Sequence, residues 1–300
     1  MLYCKSKEQG VDLEFVSVVE TIERHYLKKS IAMCNYNGIR VNRSELIRLK
    51  EIELEVERDD LMRPVQSGFN YQDWPVIRLS KDGKYELVMM EWGFLPYYLK
   101  NREAVKKFRN GYKNEAGKWI PGFTTLNAVG EELLVPGKMY REAALKRRCL
   151  FVSSGFVEWQ HTTEIGKSGK MLKTPGKYPY HIGVKDSPYF FIAGVWQNWT
   201  DKDTGETIPT AALITTFANG LMRQIHNSKL RMPAILTEDL AAEWISDGLS
   251  EERITEIATY QIPSKKMHAY PLHKDFMKSD DPLKETTYSH IPALVFEDAI

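Results

Sequence analysis

Aromatic and β-branched residues recur along the middle of the chain in runs that end at turn residues. This pattern is typical of β-strands. It predicts strands at residues 85–92, 149–159, 177–184, 189–199 and 211–217. Between the last two runs, residues 201–206 contain Asp-Thr-Gly, which favours a tight hairpin turn.

Apolar residues at helical spacing predict six helices. The first is expected over residues 12–30, and the second from Asn42 or Ser44 to about Glu57. Four more are predicted at residues 139–146, 221–225, 238–246 and 251–259, the last two capped by Thr237 and Ser250. Strands in succession with a few helices between them indicate an α+β fold. We therefore predict a single domain with a curved, largely antiparallel, barrel-like sheet and peripheral helices.

Composition supports a folded protein without membrane spans. Hydrophobic residues make up 43% of the chain and charged residues 27%, which suits an aromatic-rich core and an ordinary surface. No apolar run approaches the roughly 18 residues that cross a bilayer. The three cysteines are odd in number and widely spaced, as expected for reduced thiols. We expect a cytoplasmic monomer that contacts no membrane and needs neither metal nor cofactor.

Charge alone leaves the partner open. The formal net charge is only +1, so the overall field gives no reason to expect nucleic acid. Lysine and arginine are nevertheless concentrated in residues 100–118 and 138–148. These runs fit a solvated surface as well as a track for phosphates.

Four polar residues stand in surroundings that an ordinary core or turn explains poorly. They are Cys34, Asn127, Glu158 and His226. Each still has a structural alternative: a small core thiol, a turn amide, an outward-facing strand carboxylate and a hydrogen-bonded histidine, respectively. The aromatic neighbours of Glu158 would remove water from its carboxylate, as in many acid–base catalysts.

These residues lie within ordered sequence blocks that extend from Met33 to about Phe276. The blocks are Met33-Cys34, Glu91-Trp92-Gly93-Phe94, Leu126-Asn127-Ala128, Gly155-Phe156-Val157-Glu158-Trp159, Ala193-Gly194-Val195-Trp196, Ile214-Thr215-Thr216, Ile225-His226 and Arg231-Met232-Pro233. Together they resemble the SOS-response-associated peptidase (SRAP) family, also called abasic-site processing proteins.

The resemblance implies a domain that binds single-stranded DNA and forms a thiazolidine with the ring-opened sugar of an abasic site. It also implies that Cys34 supplies both the nitrogen and the sulfur of this ring, and that Asn127, Glu158 and His226 line the site. The family name reflects a proposed self-cleavage that exposes the cysteine. The sequence also leaves open a lyase activity, in which the same amine promotes β-elimination at the imine.

Elementary chemistry explains why the cysteine must be N-terminal. Only an unprotonated amine attacks the sugar aldehyde, and an α-amine with a pKa of about 7.8 is about one-third neutral near pH 7.5. A lysine is neutral only about one time in a thousand. After the imine forms, the thiol of the same residue closes a five-membered ring in an intramolecular step.

Residues 1–33 precede Cys34 and would leave its nitrogen as an amide. Either translation starts at Met33, which we favour, or these residues are a propeptide. We therefore expect an N-terminal extension at residues 1–33, an SRAP-like domain at 34–276 and a flexible acidic tail at 277–300.

Several expected DNA contacts differ from the family pattern. Tyr97 and Tyr98 stand where paired tryptophans are expected, and they can still stack on bases. Lys138 and Arg231 match basic positions of the family, and Thr215 lies in the Ile-Thr-Thr block. We predict that all five contact DNA.

Two other functions fit the same residues. A cysteine hydrolase would use Cys34 and His226 with Asn127 or Glu158, and would turn over a peptide substrate. A non-catalytic DNA-binding module would keep its function after Cys34→Ala.

Overall fold

The computed structural model describes residues 34–41, 47–49, 52–54, 61–166 and 168–298. Its strands in chain order are β1 (Tyr36–Arg40), β2 (Ile47–Leu49), β3 (Ile52–Leu54), β4 (Met62–Ser67), β5 (Asp73–Leu79), β6 (Tyr85–Trp92), β7 (Tyr112–Lys113), β8 (Trp119–Ile120), β9 (Asn127–Val129), β10 (Arg148–Ser153), β11 (Gly155–Thr162), β12 (Gly176–Val184), β13 (Phe190–Thr200), β14 (Thr207–Phe217), β15 (Arg231–Pro233), β16 (Ile235–Leu236) and β17 (Met267–Pro271).

Helices are short and lie between these strands. They are α1 (Arg102–Asn110), α2 (Arg141–Lys146), α3 (Gly220–Ile225), α4 (Glu238–Trp244) and α5 (Glu251–Ala258). Thr237 and Ser250 cap α4 and α5 by accepting hydrogen bonds from backbone N–H groups three residues further on, as predicted. Among the described residues, no helix is both long enough and apolar enough to span a membrane.

Two larger sheets organise the fold. The first has the strand order β17-β12-β11-β1-β4 and is antiparallel throughout. In the second, strands β14, β6, β5, β10 and β13 pair in a closed ring, and β15, β16 and β9 pair with its members. All these pairings are antiparallel except β14 with β6 and β14 with β9. The predicted α+β fold with a barrel-like, largely antiparallel sheet is confirmed.

The two sheets share one stretch of chain. Strand β10 belongs to the ring, and β11 follows it after Ser154 in the other sheet. Ser154 anchors this corner: its backbone N–H donates to the carbonyl of Gly38 at 2.8 Å, and its hydroxyl accepts from the N–H of Arg40 at 3.0 Å. The corner therefore fixes β1, and with it Cys34, against β11.

Aromatic side chains fill the space enclosed by the ring. Trp74, Trp92 and Phe151 are fully buried, with ring centroids 5.6 and 6.2 Å apart for the successive pairs. Both indole N–H groups donate to backbone carbonyls, those of Val152 and Leu126. Because the three aromatic side chains bury large apolar surfaces, and both indole N–H groups have acceptors, this cluster is a main source of stability.

One predicted helix is replaced by strands, and another falls outside the described residues. The prediction over residues 12–30 lies outside the described residues. The prediction from Asn42 or Ser44 to about Glu57 is wrong for the described residues, because β2 and β3 form an antiparallel pair there. The apolar residues of Ile-Arg-Leu and Ile-Glu-Leu alternate with a period of two, and pairing of these segments overrides their helical spacing.

The segment after residue 276 makes specific contacts along its described part. The Tyr288 hydroxyl donates to the carbonyl of Leu272 at 2.9 Å, and His290 Nε2 lies 2.7 Å from the Tyr178 hydroxyl. The Asp298 carboxylate accepts a hydrogen bond from the backbone of Gly220. That residues 277–300 are a flexible tail stays a prediction, as do the domain limits.

Candidate functional site

Cys34 lies two residues before the start of β1 and is only 2% exposed. The residue after it, Asn35, accepts a hydrogen bond from the backbone of Gly68 at 2.7 Å, which fixes the chain at this point. Cys34 has a φ of 49°. A residue with a Cβ atom rarely adopts this left-handed conformation, so the backbone of Cys34 is strained.

The backbone nitrogen of Cys34 contacts a buried carboxylate. It donates to Glu158 Oε1 at 2.6 Å. Glu158 lies on β11, where strand alternation turns it toward the core and away from the side occupied by Val157 and Trp159. The structure therefore places a proton acceptor directly against the nitrogen that would become the α-amine if residues 1–33 were removed.

His226 lies on the other side of the same carboxylate. Its Nε2 is 3.6 Å from Glu158 Oε2, and both side chains are buried. Its Nδ1 lies 2.9 Å from the carbonyl oxygen of Arg231. A carbonyl can only accept, so this contact places the Nδ1 hydrogen there and leaves Nε2 facing Glu158.

The thiol of Cys34 is held in its neutral form. Burial raises its pKa well above the ordinary value, and the charge of Glu158 and a hydrogen bond to that carboxylate raise it further. The nearby Arg231 lowers it only in part. The pKa of Cys34 is therefore shifted in the opposite direction to that of catalytic cysteines, whose pKa is lowered by a histidine partner that stabilises the thiolate.

Asn127 supports the cysteine through its neighbour. It begins β9, which pairs in parallel with β14, and its Nδ2 donates to Asn35 Oδ1 at 3.1 Å. The backbone carbonyl of Asn127 accepts from the Tyr140 hydroxyl at 3.2 Å. The Asn127 side chain thus fixes the residue that follows Cys34.

Arg231 and Thr215 are buried residues next to His226. Arg231 Nη2 donates to Glu131 Oε2 and to the Thr215 carbonyl, both at 2.7 Å. Arg231 is 8% exposed and Thr215 is fully buried. A direct contact between either side chain and a phosphate would require these bonds to rearrange.

Of the other residues predicted to contact DNA, Tyr97 and Tyr98 are exposed and Lys138 is partly buried. Tyr97 is 84% exposed and forms an edge-on pair with Tyr98, with ring centroids 5.9 Å apart. The two tyrosines lie in the segment between β6 and α1. Lys138 Nζ is 2.6 Å from Glu132 Oε2. The structure therefore joins five of the predicted residues in one buried network: Cys34, Glu158, His226, Arg231 and Thr215. Tyr97, Tyr98 and Lys138 lie outside this network.

Sequence reasoning missed two members of this network. Asn35 bonds to Asn127, and Glu131 neutralises Arg231. Each partner lies about a hundred residues away in the chain, so no local spacing could have identified either pair. Among the described residues, no group of three His, Cys, Asp or Glu side chains is placed to hold a metal ion.

The fold and the buried cluster define an α+β protein with a barrel-like sheet that holds a cysteine, a glutamate and a histidine in contact. The chain belongs to the SOS response associated peptidase (SRAP) family, whose profile matches residues 33–279.

Relatives and solved structures agree with this assignment. The abasic site processing protein YoqW of Bacillus subtilis is 26% identical over 65% of this chain and 73% of its own length. HMCES of Xenopus tropicalis, also named an abasic site processing protein, is 23% identical over 70% of this chain and 53% of its own. A crystal structure of a protein from Bacteroides thetaiotaomicron matches with a TM-score of 0.61 and 28% identity, over 84% of this chain and 97% of that one.

Proposed function

We propose that this protein processes abasic sites by binding single-stranded DNA and forming a covalent thiazolidine through Cys34 as its N-terminal residue. The names of the relatives support the substrate. The observation that carries the proposal is the 2.6 Å contact between the Cys34 nitrogen and Glu158 Oε1. It gives the attacking nitrogen a proton acceptor within hydrogen-bonding distance, as general base catalysis requires.

The reaction proceeds through an imine. The α-amine adds to C1′ of the ring-opened sugar, and Glu158 accepts the proton released from nitrogen. Glu158 delivers that proton to the C1′ oxygen, which becomes the hydroxyl of a carbinolamine. It then carries the second nitrogen proton to this hydroxyl, which leaves as water and produces the imine. The thiol then adds to C1′, and its proton passes to the nitrogen. The product joins protein and DNA with the loss of one water.

The neutral thiol suits this last step better than it suits a hydrolase. Ring closure transfers the thiol proton to the imine nitrogen, so no stable thiolate is needed. A cysteine hydrolase depends on a thiolate beside a protonated histidine, whereas here the pKa of Cys34 is raised by burial and by Glu158. His226, which faces Glu158 rather than an unpaired thiolate, would transfer a proton to or from the sugar ring oxygen during opening.

Backbone strain supports a terminal Cys34. The φ of 49° is unfavourable because a carbonyl precedes the residue. A free α-amine has no preceding carbonyl, so the same position of the cysteine is unstrained. Asn127, through Asn35, would then hold the terminal residue in place.

DNA would reach this site along the exposed residues. Tyr97 and Tyr98 would stack on bases near the lesion, and Lys138 would contact a phosphate. Arg231 and Thr215, which are buried, would act by holding His226.

Self-cleavage before Cys34 is a second candidate activity, and one observation favours it. Glu158 contacts the nitrogen that would be the leaving group if the peptide bond between Met33 and Cys34 were hydrolysed. A carboxyl group there could donate the proton that this nitrogen needs. This route would also generate the terminal cysteine.

The proposal can be tested by intact mass spectrometry of two proteins, one translated from Met33 and one with all 300 residues. Each is mixed with a single-stranded oligonucleotide that contains one abasic site. We expect the first to gain the mass of the DNA less one water, and the second to react only after losing residues 1–33. Cys149→Ser, which changes a buried core thiol, is the matched control and should react normally.

Two results would count against the proposal. A full-length protein that becomes crosslinked with residues 1–33 still attached contradicts the role of the α-amine. A Cys34→Ala protein with an alanine terminus that forms an equally heat-stable adduct contradicts ring closure by the thiol. Recovery of cleaved DNA and free protein would show lyase activity in place of a stable crosslink.

A further inference from the structure

An exposed aromatic residue ends β14 beside the candidate site. Phe217 is 56% exposed, although it lies next to the buried Arg231 and Thr215. We propose that Phe217 is a stacking platform for a nucleobase adjacent to the abasic site. This inference rests on the proposed function and adds a specific base contact to it.

Strand register places Phe217 on the same side as the site. Phe217 is paired with Arg231 across the β14–β15 ladder. Side chains alternate along a strand, so Phe217 and Thr215 share one face of β14. Arg231 contacts Thr215 through its guanidinium and His226 through its carbonyl. Phe217 is therefore two residues from Thr215 along β14 and directly opposite Arg231, whose carbonyl contacts His226.

One face of the Phe217 ring packs against Arg231. The guanidinium carbon of Arg231 lies 5.0 Å from the ring centroid, and that guanidinium is itself bound by Glu131. Glu131 Oε1 also accepts from the backbone N–H of Phe217 at 3.0 Å. Because its support is fixed, the ring loses little conformational freedom when a base stacks on it.

A second apolar residue, Leu230, is exposed in the neighbouring segment of chain. Its carbonyl accepts from the N–H of Ala218 at 3.0 Å. It is held with a φ of 56°, a left-handed conformation that is unfavourable for leucine. The chain thus keeps two apolar side chains in solvent next to a buried charged site.

The chemistry of this surface favours a nucleobase over an apolar partner. Phe217 offers one flat face for stacking, and the exposed Lys229 adds positive charge in the neighbouring loop. A base attached to a phosphate backbone satisfies both features. Aromatic stacking accepts any base, which suits a protein that must bind lesions in any sequence.

The test measures binding separately from chemistry. Single-stranded DNA carries a tetrahydrofuran in place of the abasic sugar, which has no aldehyde, and 2-aminopurine on one side of it or the other. We expect Phe217→Ala to weaken binding by about tenfold, within the range for loss of one stacked base, and to abolish the 2-aminopurine quenching on one side only. Phe217→Trp should preserve both, and Phe217→Leu should lose the quenching.

The control is Trp119→Ala, because Trp119 is equally exposed, at 56%, on the separate β7–β8 hairpin. It should leave affinity and quenching unchanged. The salt dependence of binding should be the same for Phe217→Ala and the wild type, because stacking releases no counterions.

The inference is overturned if Phe217→Ala binds within twofold of the wild type, or if Trp119→Ala has the same effect. A wild-type protein that does not bind this DNA overturns both the platform and the proposed function. Normal binding and a clear Phe217 effect without any crosslink to natural abasic DNA would overturn the thiazolidine mechanism alone.

Discussion

At the scale of single residues, the candidate site depends on one carboxylate that serves two partners. Glu158 binds the Cys34 nitrogen with one oxygen and faces His226 with the other. The resemblance in sequence predicted that these three residues share a site. It could not predict which atoms meet, because their contacts link segments separated by more than sixty residues of chain.

Replacing Glu158 with glutamine distinguishes its role in hydrogen bonding from its role in proton transfer. An amide of the same shape can accept a hydrogen bond but cannot take up a proton. We expect the crosslinking rate of Glu158→Gln to fall by about a hundredfold or more, while affinity for tetrahydrofuran-containing DNA is unchanged. Rates are measured by quenched time courses on gels. Glu206→Gln, at an exposed carboxylate that pairs with Arg102, is the control. A native rate for Glu158→Gln would remove the proposed acid–base role.

A buried histidine outside the site should make stability depend on pH. Burial lowers the pKa of His181 to about 4, and the nearby His268 and Arg40 contribute. The unfolded chain binds a proton near pH 6.5 and the folded protein only near pH 4, so stability is lost as pH falls between these values.

We expect His181→Phe to reduce the stability loss between pH 7 and pH 4.5 by about 2–3 kcal/mol, as measured by urea unfolding at each pH. The exposed His273 provides the comparison, and His273→Gln should lose the same stability as the wild type between these two pH values. Parallel pH profiles for His181→Phe and the wild type would contradict this assignment.

At the scale of elements, strands were easier to predict than their partners. The runs at residues 85–92 and 177–184 were predicted almost to the residue because their apolar patterns are long and end at turns. The closure of β14 onto both β6 and β13 could not be predicted, because pairing depends on contacts between distant segments. The β2–β3 pair was mistaken for a helix for the same reason.

Strand β1 offers a test of how an element positions the site. A Cβ atom on Gly38 would lie 2.2 Å from the carbonyl oxygen of Pro64 in the adjacent β4. Since that atom belongs to the backbone, the strands must separate. We expect Gly38→Ala to destabilise the protein by about 1–3 kcal/mol and to slow crosslinking, because β1 begins two residues after Cys34.

Chemical denaturation and crosslinking rates measure the two effects. Gly83→Asn is the matched control: Gly83 has a φ of 74° in open space, and asparagine tolerates this conformation. An unchanged unfolding midpoint for Gly38→Ala would show that β1 and β4 are not packed as described.

At the scale of the whole molecule, the end of the chain stabilises the helix that precedes His226. The Asp298 carboxylate accepts from the backbone N–H of Gly220, at the start of α3, and from the hydroxyl and backbone N–H of Ser264. Gln224, near the end of α3, exchanges two hydrogen bonds with the backbone of Val295. The polar, acidic composition of this segment is the basis on which a flexible tail was predicted. Composition alone does not reveal that the Asp298 carboxylate has specific partners.

Deleting residues 291–300 should therefore affect the distant site. Without Asp298 and Val295, α3 loses contacts at both ends, and the orientation of His226 relative to Glu158 becomes less fixed. We expect a lower unfolding midpoint and a crosslinking rate reduced by about tenfold, the cost of about 1.4 kcal/mol in positioning. Asp298→Ala should reproduce part of both effects. Asp275→Ala, which removes an exposed carboxylate paired with Lys278, should reproduce neither. If the truncated protein crosslinks at the native rate while its unfolding midpoint falls, the segment stabilises the fold without positioning His226.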